Sequence, residues 1–190
     1  VPDADGSVPY DLDEVLALVE AATDAYTRLG TAAWWKLAPD GLDEISRRLE
    51  HTTRLAWAAQ VALAGEYEQQ SVASARGATS TATMLTALLR ISPGEARLRV
   101  RTAAATHPQY TSTGTEIDPQ LPALGAAITA GDIGGEHARI IGDALRHLPE
   151  PITPDQRQGL EQALVEHART DDPARLNRTA QHLAHLLEQE

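Results

Sequence analysis

Cysteine is absent from the 190 residues. That excludes disulfides, thiolate zinc sites and cysteine nucleophiles together. It fits a reducing compartment, and a cytoplasmic location is expected. Phenylalanine is missing too, and valine and isoleucine are few, so little strand is expected. Lys36 is the single lysine against fifteen arginines, a bias that reads as high-GC coding rather than selection for phosphate contacts. No apolar run is long enough to span a bilayer; the longest, Leu55–Gly65, is interrupted by Gln60. The opening VPDADGSVPY lacks the basic and apolar regions of a signal peptide. A soluble chain with no membrane partner is expected.

Alanine, leucine, glutamate, glutamine and arginine dominate what remains, and these favour helix. Asp11–Leu29 has apolar residues at a helical period, and Gly30 closes it. Gly41–Gln70 reads as one long helix with Leu42, Ile45, Leu49, Ala56, Leu63 and Tyr67 along one stripe; Gly65 is a place for it to bend or end. These two helices are expected to form the core or a dimerisation layer. Ser71–Ala78 reads as a connector. A helix capped by Thr79 or Ser80 runs to Leu89. Ser92-Pro93-Gly94-Glu95 starts the next, with serine as cap, proline in the first turn and Glu95 completing a capping box. His107–Gln120 is a polar loop. Helices follow over Leu121–Ala130, Glu136–Leu148 and Pro154–Thr170, and from Asp172-Pro173 to a last helix still running at Glu190. The expected fold is all-α, about eight helices in a multi-helical bundle, with a helix-turn-helix-like pair at its centre. Residues 1–70 form a helical layer, 71–150 the core and 151–190 a helical pair, together one domain cut from a longer protein.

The formal net charge is -11, which argues against a chain coated in nucleic acid. The distribution is uneven. Ser71–Tyr110 holds Arg76, Arg90, Arg97, Arg99 and Arg101 against Glu95 alone, so this segment is +4 and the rest -15. On the helix from Pro93, Ala96, Val100, Ala103 and Ala104 share the side facing the core. Arg97 and Arg101 stack on a flank, where a recognition helix would meet the major groove. Arg99 falls four residues after Glu95 and is expected to pair with it. Leu98 does not fit a solvent-facing surface. Arg90, in the turn, lies within reach of a backbone phosphate. Taken on the residues alone, an ordinary helical hairpin with exposed arginines is the commoner arrangement.

Further along, Ala138, Ile141, Leu145 and Leu148 form a buried stripe. His137 borders it and reads as a hydrogen-bonding anchor, while Arg139 is a phosphate candidate. Gly134-Gly135 leaves amides open to an anion. His182 and His185 are spaced for a metal, but no third ligand is placed beside them, so a solvated helix face is the expectation. No metal and no cofactor is expected. Nucleophile triads, glycine-rich phosphate loops and paired catalytic carboxylates have no local signature.

Several stretches together resemble the family called domain of unknown function 222, the 13E12 repeat family. They are the Ser/Thr-led helix before Leu88-Leu89, Ile91-Ser92-Pro93-Gly94-Glu95-Ala96-Arg97, Leu124 through Ala130-Gly131-Asp132-Ile133, Glu136-His137-Ala138-Arg139-Ile140-Ile141, and Leu148-Pro149. The link over His107–Gln120 is longer than that family's. The resemblance implies a domain lying N-terminal to an HNH endonuclease domain, and so a role around DNA. Gly131, Ile133 and His137-Ala138-Arg139 are also similar in spacing to the region around the helix-turn-helix of ParB-type partition proteins. The nuclease itself is not expected in these residues. An HNH site needs histidines in a strand-turn-helix hairpin with an orienting asparagine, whereas Asn177 sits in a helix and no strand pair is expected. The chain is therefore expected to be a non-catalytic domain that contacts duplex DNA through Arg90, Arg97 and Arg101, supported by Arg139 and Arg76. The alternative is a protein-interaction module, with a homodimer through the N-terminal helices and no direct DNA contact.

Overall fold

The computed structural model describes residues 11–110, 114–148 and 152–187. The chain divides into two compact units, residues 1–46 and 47–190. The division falls inside one helix, so each unit is described by itself.

The first unit holds α1, Leu12–Gly30, a short 3-10 turn at Trp34–Lys36 and the opening residues of α2. Asp11 caps α1 by accepting from the Asp13 amide at 3.1 Å. α1 buries no residue. Within its own unit its apolar side is uncovered: Leu12 is 69% exposed, and Val15, Leu16 and Val19 are also exposed.

α2 spans Pro39–Gln69 and enters the second unit at Arg47. The stripe expected along it is displaced. Leu42 and Leu63 are exposed, and the buried residues are Val61, Ala64 and Gly65. Gly65 does not end the helix. A Cβ there would stand 3.2 Å from that of Ala103, so the glycine lets α2 lie close against a neighbouring helix. The connector at Ser71–Ala78 contains one helical turn, α3 (Val72–Ala75).

α4 (Thr81–Leu89) and α5 (Pro93–Thr106) are joined by Arg90, Ile91 and Ser92. Ser80 and Ser92 cap them, each accepting from the amide three residues on at 3.1 Å. Arg90 adopts the left-handed conformation, φ 56°, which reverses the chain after α4. Leu85, Ala96 and Ala64 make a small apolar cluster between α4, α5 and α2. Ala96 and Ala103 face inward as expected, but Ala104 is exposed and Thr102 and Thr106 are buried instead.

The link over His107–Gln120 contains a strand pair where a loop was expected. β1 (Gln109–Tyr110) and β2 (Glu116–Ile117) run antiparallel, Gln109 opposite Ile117. Four paired residues need no run of β-formers, which is why propensity gave no sign of them. The main core lies beyond. α6 (Pro122–Thr129), α7 (Gly135–Arg146), α8 (Pro154–Thr170) and α9 (Pro173–Leu187) enclose Leu124, Ile128, Ile133, Ile141, Leu145, Leu164 and Leu176. Thr153 and Gln156 form a full capping box at α8. The described residues thus carry nine α-helices, one more than expected, the addition being α3. The expected run of α9 to Glu190 lies outside the described residues, while α7, expected to reach Leu148, ends at Arg146 with His147 as its C-cap.

Candidate functional site

The loop between α6 and α7, Ala130–Gly134, fixes the geometry of the candidate site. Gly131 takes φ 74°, and a Cβ there would meet His51 at 2.8 Å and Leu55 at 2.9 Å. A Cβ at Gly135 would meet the Trp57 ring at 2.9 Å. These glycines let α2 pack directly on loop backbone. Polar contacts complete the seat. His51 Nδ1 donates to the Gly131 carbonyl at 3.2 Å, and Arg54 donates to that of Asp132 at 2.6 Å. Arg169, on α8, pairs with the Asp132 carboxylate at 3.0 Å. Gly135, where the sequence suggested an anion seat, is thus explained by close packing, whereas a Cβ on Gly134 would meet Arg54 Cγ at an ordinary 3.6 Å.

His137 is buried, and its Nε2 donates to the Asp171 carbonyl at 3.0 Å. It anchors α7 to the end of α8, as the sequence indicated. Seated in this way, α7 lies beside α5, and two hollows open along their junction.

The first hollow is open, about 680 Å³, lined by Trp57, Glu95, Arg97, Leu98, Arg101, Glu136 and Arg139 among others. Arg97, Arg101 and Arg139 are exposed side chains here. The fold brings together three of the five arginines singled out in the sequence. Arg97 and Arg101 make no side-chain hydrogen bond or ion pair among the described residues. Arg99 is held away, paired with Glu95 at 2.8 Å as expected. Glu95 also accepts from Trp57 Nε1 at 3.2 Å, so its carboxylate is turned toward those partners. The capping box expected of it is accordingly only half formed: Ser92 caps Glu95, but the returning bond is not made. Arg76 and Arg90 are exposed but line neither hollow. The left-handed turn at Arg90 and the α3 turn before Arg76 put both outside the α5–α7 junction.

The second hollow, about 230 Å³, lies between α5, α6, α7 and α8. Its floor is apolar, made by Leu98, Leu121, Leu124 and Ala138. Arg101, Arg139, Arg146 and Arg157 surround it with Asp143. Asp143 pairs with Arg146 at 2.9 Å and with Arg139 at 3.4 Å. Arg146 and Arg157 were missed in the sequence, because they lie outside the basic segment and near acidic residues. Only the angular positions on α7 would have hinted that Arg139, Gly142 and Arg146 share a side.

Below the floor sits Glu161, 2% exposed. Its carboxylate accepts from the Leu124 amide at 2.8 Å and closes the start of α6 from a distant helix. Burial raises its pKa above the usual value, partly offset by the Leu124 and Ala123 amides and by Arg157. The sequence offered no sign of it. His182 and His185 are exposed on α9, and no cluster of three or more metal-ligating side chains occurs among the described residues. No helix among them is long and apolar enough to cross a membrane.

A multi-helical domain with an arginine-lined junction is the class that fold and site define. The model of the family described as "Domain of unknown function (DUF222)" matches residues 43–190, and the chain belongs to that family. Among curated proteins it is 31% identical over 169 residues to the uncharacterized protein Rv1945 of Mycobacterium tuberculosis, covering 87% of this chain and 37% of that protein. The uncharacterized protein Mb1179c of Mycobacterium bovis matches to the same extent. The uncharacterized protein Rv1702cMb1728c of Mycobacterium tuberculosis is 35% identical over 99 residues, 52% of this chain and 22% of that protein. The chain thus spans well under half the length of these relatives. No solved structure matches.

Proposed function

We propose that residues 47–190 form a non-catalytic DNA-binding or targeting domain within a longer HNH-endonuclease-type protein. The observation that carries this is the convergence of Arg97, Arg101 and Arg139 on one open hollow, with the first two free of carboxylate partners among the described residues. A guanidinium in that state is available to phosphate or to a guanine edge. α5 would present its first turns to duplex DNA, Arg139 would hold the backbone, and Arg90 and Arg76 would lend charge from the flank. A cytoplasmic location goes with this reading. The test is fluorescence anisotropy with mixed-sequence duplex across a salt series. Binding should weaken steeply with salt, and Arg97→Ala/Arg101→Ala should reduce both affinity and salt slope. Equal binding by the variant would overturn the assignment to α5.

A second reading rests on α1, whose apolar side is uncovered over Leu12, Val15, Leu16 and Val19. Such a stripe marks a contact surface, and here we assign it to a second copy of the chain. Sedimentation equilibrium of Leu16→Asp/Val19→Asp against the parent chain decides. A monomeric parent would refute the dimer.

A further inference from the structure

We infer that the smaller hollow, between α5, α6, α7 and α8, is a binding site for a phosphomonoester. The inference rests on the DNA reading only for one of its two ligand sources, a 5′-phosphorylated strand end; the other is a free mononucleotide. Arg101, Arg139, Arg146 and Arg157 come from three helices, up to 56 positions apart in the chain, and only the fold assembles them. Against four guanidinium groups the hollow holds one carboxylate, Asp143, so its lining carries +3. Asp143 is shared by Arg139 and Arg146 and Arg157 lies in the field of the buried Glu161, while Arg101 forms no ion pair among the described residues. An excess of this size suits a phosphomonoester, about -1.5 to -2 at neutral pH, better than a carboxylate or an internal phosphodiester. The leucine floor accepts an uncharged body attached to that group.

Gly142 is an independent sign that the space is kept open. It lies inside α7, on the wall of the hollow, with nothing within 4 Å of a Cβ built on it. Its φ is not positive, so neither backbone nor neighbour demands glycine. Glycine within a helix is unfavourable relative to alanine. Its presence here is accounted for if a ligand occupies the space a side chain would fill.

The test is calorimetric titration of the full chain with deoxyadenosine monophosphate, deoxyadenosine as control. Monophosphate should bind and the nucleoside should not, and affinity should rise with pH through the second phosphate ionisation, about pH 6. Gly142→Ala should raise Tm while weakening binding, a combination that unfolding cannot produce. Arg146→Ala should weaken it about tenfold. Asp143→Asn, which removes the competing carboxylate, should tighten it. Duplexes with 5′-phosphate and 5′-hydroxyl ends separate the sources. Preference for the phosphorylated duplex identifies strand ends, and equal duplex binding alongside monophosphate binding identifies the free nucleotide. The site is overturned if neither phosphorylated ligand is preferred, if Gly142→Ala stabilises without weakening binding, or if an acidic peptide binds in place of monophosphate. Closed-circular DNA has no ends, so loss of its binding in Arg97→Ala tests the duplex reading separately.

Discussion

Individual residues divide into those that answer to packing and those left to chemistry. Gly131 belongs to the first group. Its positive φ and the close approach of His51 and Leu55 leave no room for a side chain. Gly131→Ala should cost about 1–3 kcal/mol, read by urea denaturation. Glu161 is caught between the two groups. It is buried and its pKa is raised, so the folded state holds its proton more tightly than the unfolded chain does. For a carboxylate shifted this way, the charged form penalises folding. The penalty is absent below the unfolded value, 4.5, and grows as pH rises through the folded value. Glu161→Gln keeps an acceptor for the Leu124 amide and has no charge to bury. Its stability relative to the parent should therefore improve between pH 4 and pH 7 in parallel denaturation curves. A flat difference would mean that the carboxylate's bonds fully offset its burial. Glu161→Ala, which removes the acceptor as well, should destabilise at every pH.

Among the elements, helix starts were the most legible part of the chain. Ser80, Ser92, Thr153 and Asp172 all cap the helices they precede, because a side-chain oxygen answering free amides is a local matter. Ser92→Ala should lower stability by about 1 kcal/mol in thermal melts. It should also loosen the end of α5 that carries Arg97. Buried faces were less legible. α7 buries Ala138, Ile141 and Leu145 of its expected stripe, while Leu148 falls beyond the helix end and is half-buried. α2 does not keep its own stripe, because its neighbours fully bury only Val61, Ala64 and Gly65, and no periodicity records where a neighbour stops. The Glu95 half-box has the same origin. Arg99 was foreseeable four residues on, but Trp57, 38 positions earlier, was not.

In the whole molecule, charge and core are separated. Residues 1–46 hold ten acidic and two basic side chains, so -8 of the net -11 lies there and -3 in the remainder. Among the described residues the buried apolar ones all come from Val61 onward. A chain of residues 47–190 should keep a cooperative thermal transition within a few degrees of the parent's. If the duplex reading holds, it should also bind DNA more tightly at low salt, the difference vanishing as salt rises. Loss of the transition would show that the first unit contributes stability beyond its own burial.

By itself the sequence determined the helical class, most helix limits, the caps, the Glu95–Arg99 pair and the flank shared by Arg97 and Arg101. Each follows from residues within a turn or two of one another, where propensity and angular spacing are sufficient. Tertiary structure decided the rest. It set Arg139 beside Arg101, added Arg146 and Arg157 around a second hollow, left Arg90 and Arg76 outside both, and buried Glu161 under the start of α6. Those outcomes depend on the angles at which α2, α5, α7 and α8 meet. The angles are fixed by glycine-permitted close approaches and by which side chains fill the core, quantities that arise only when distant segments pack.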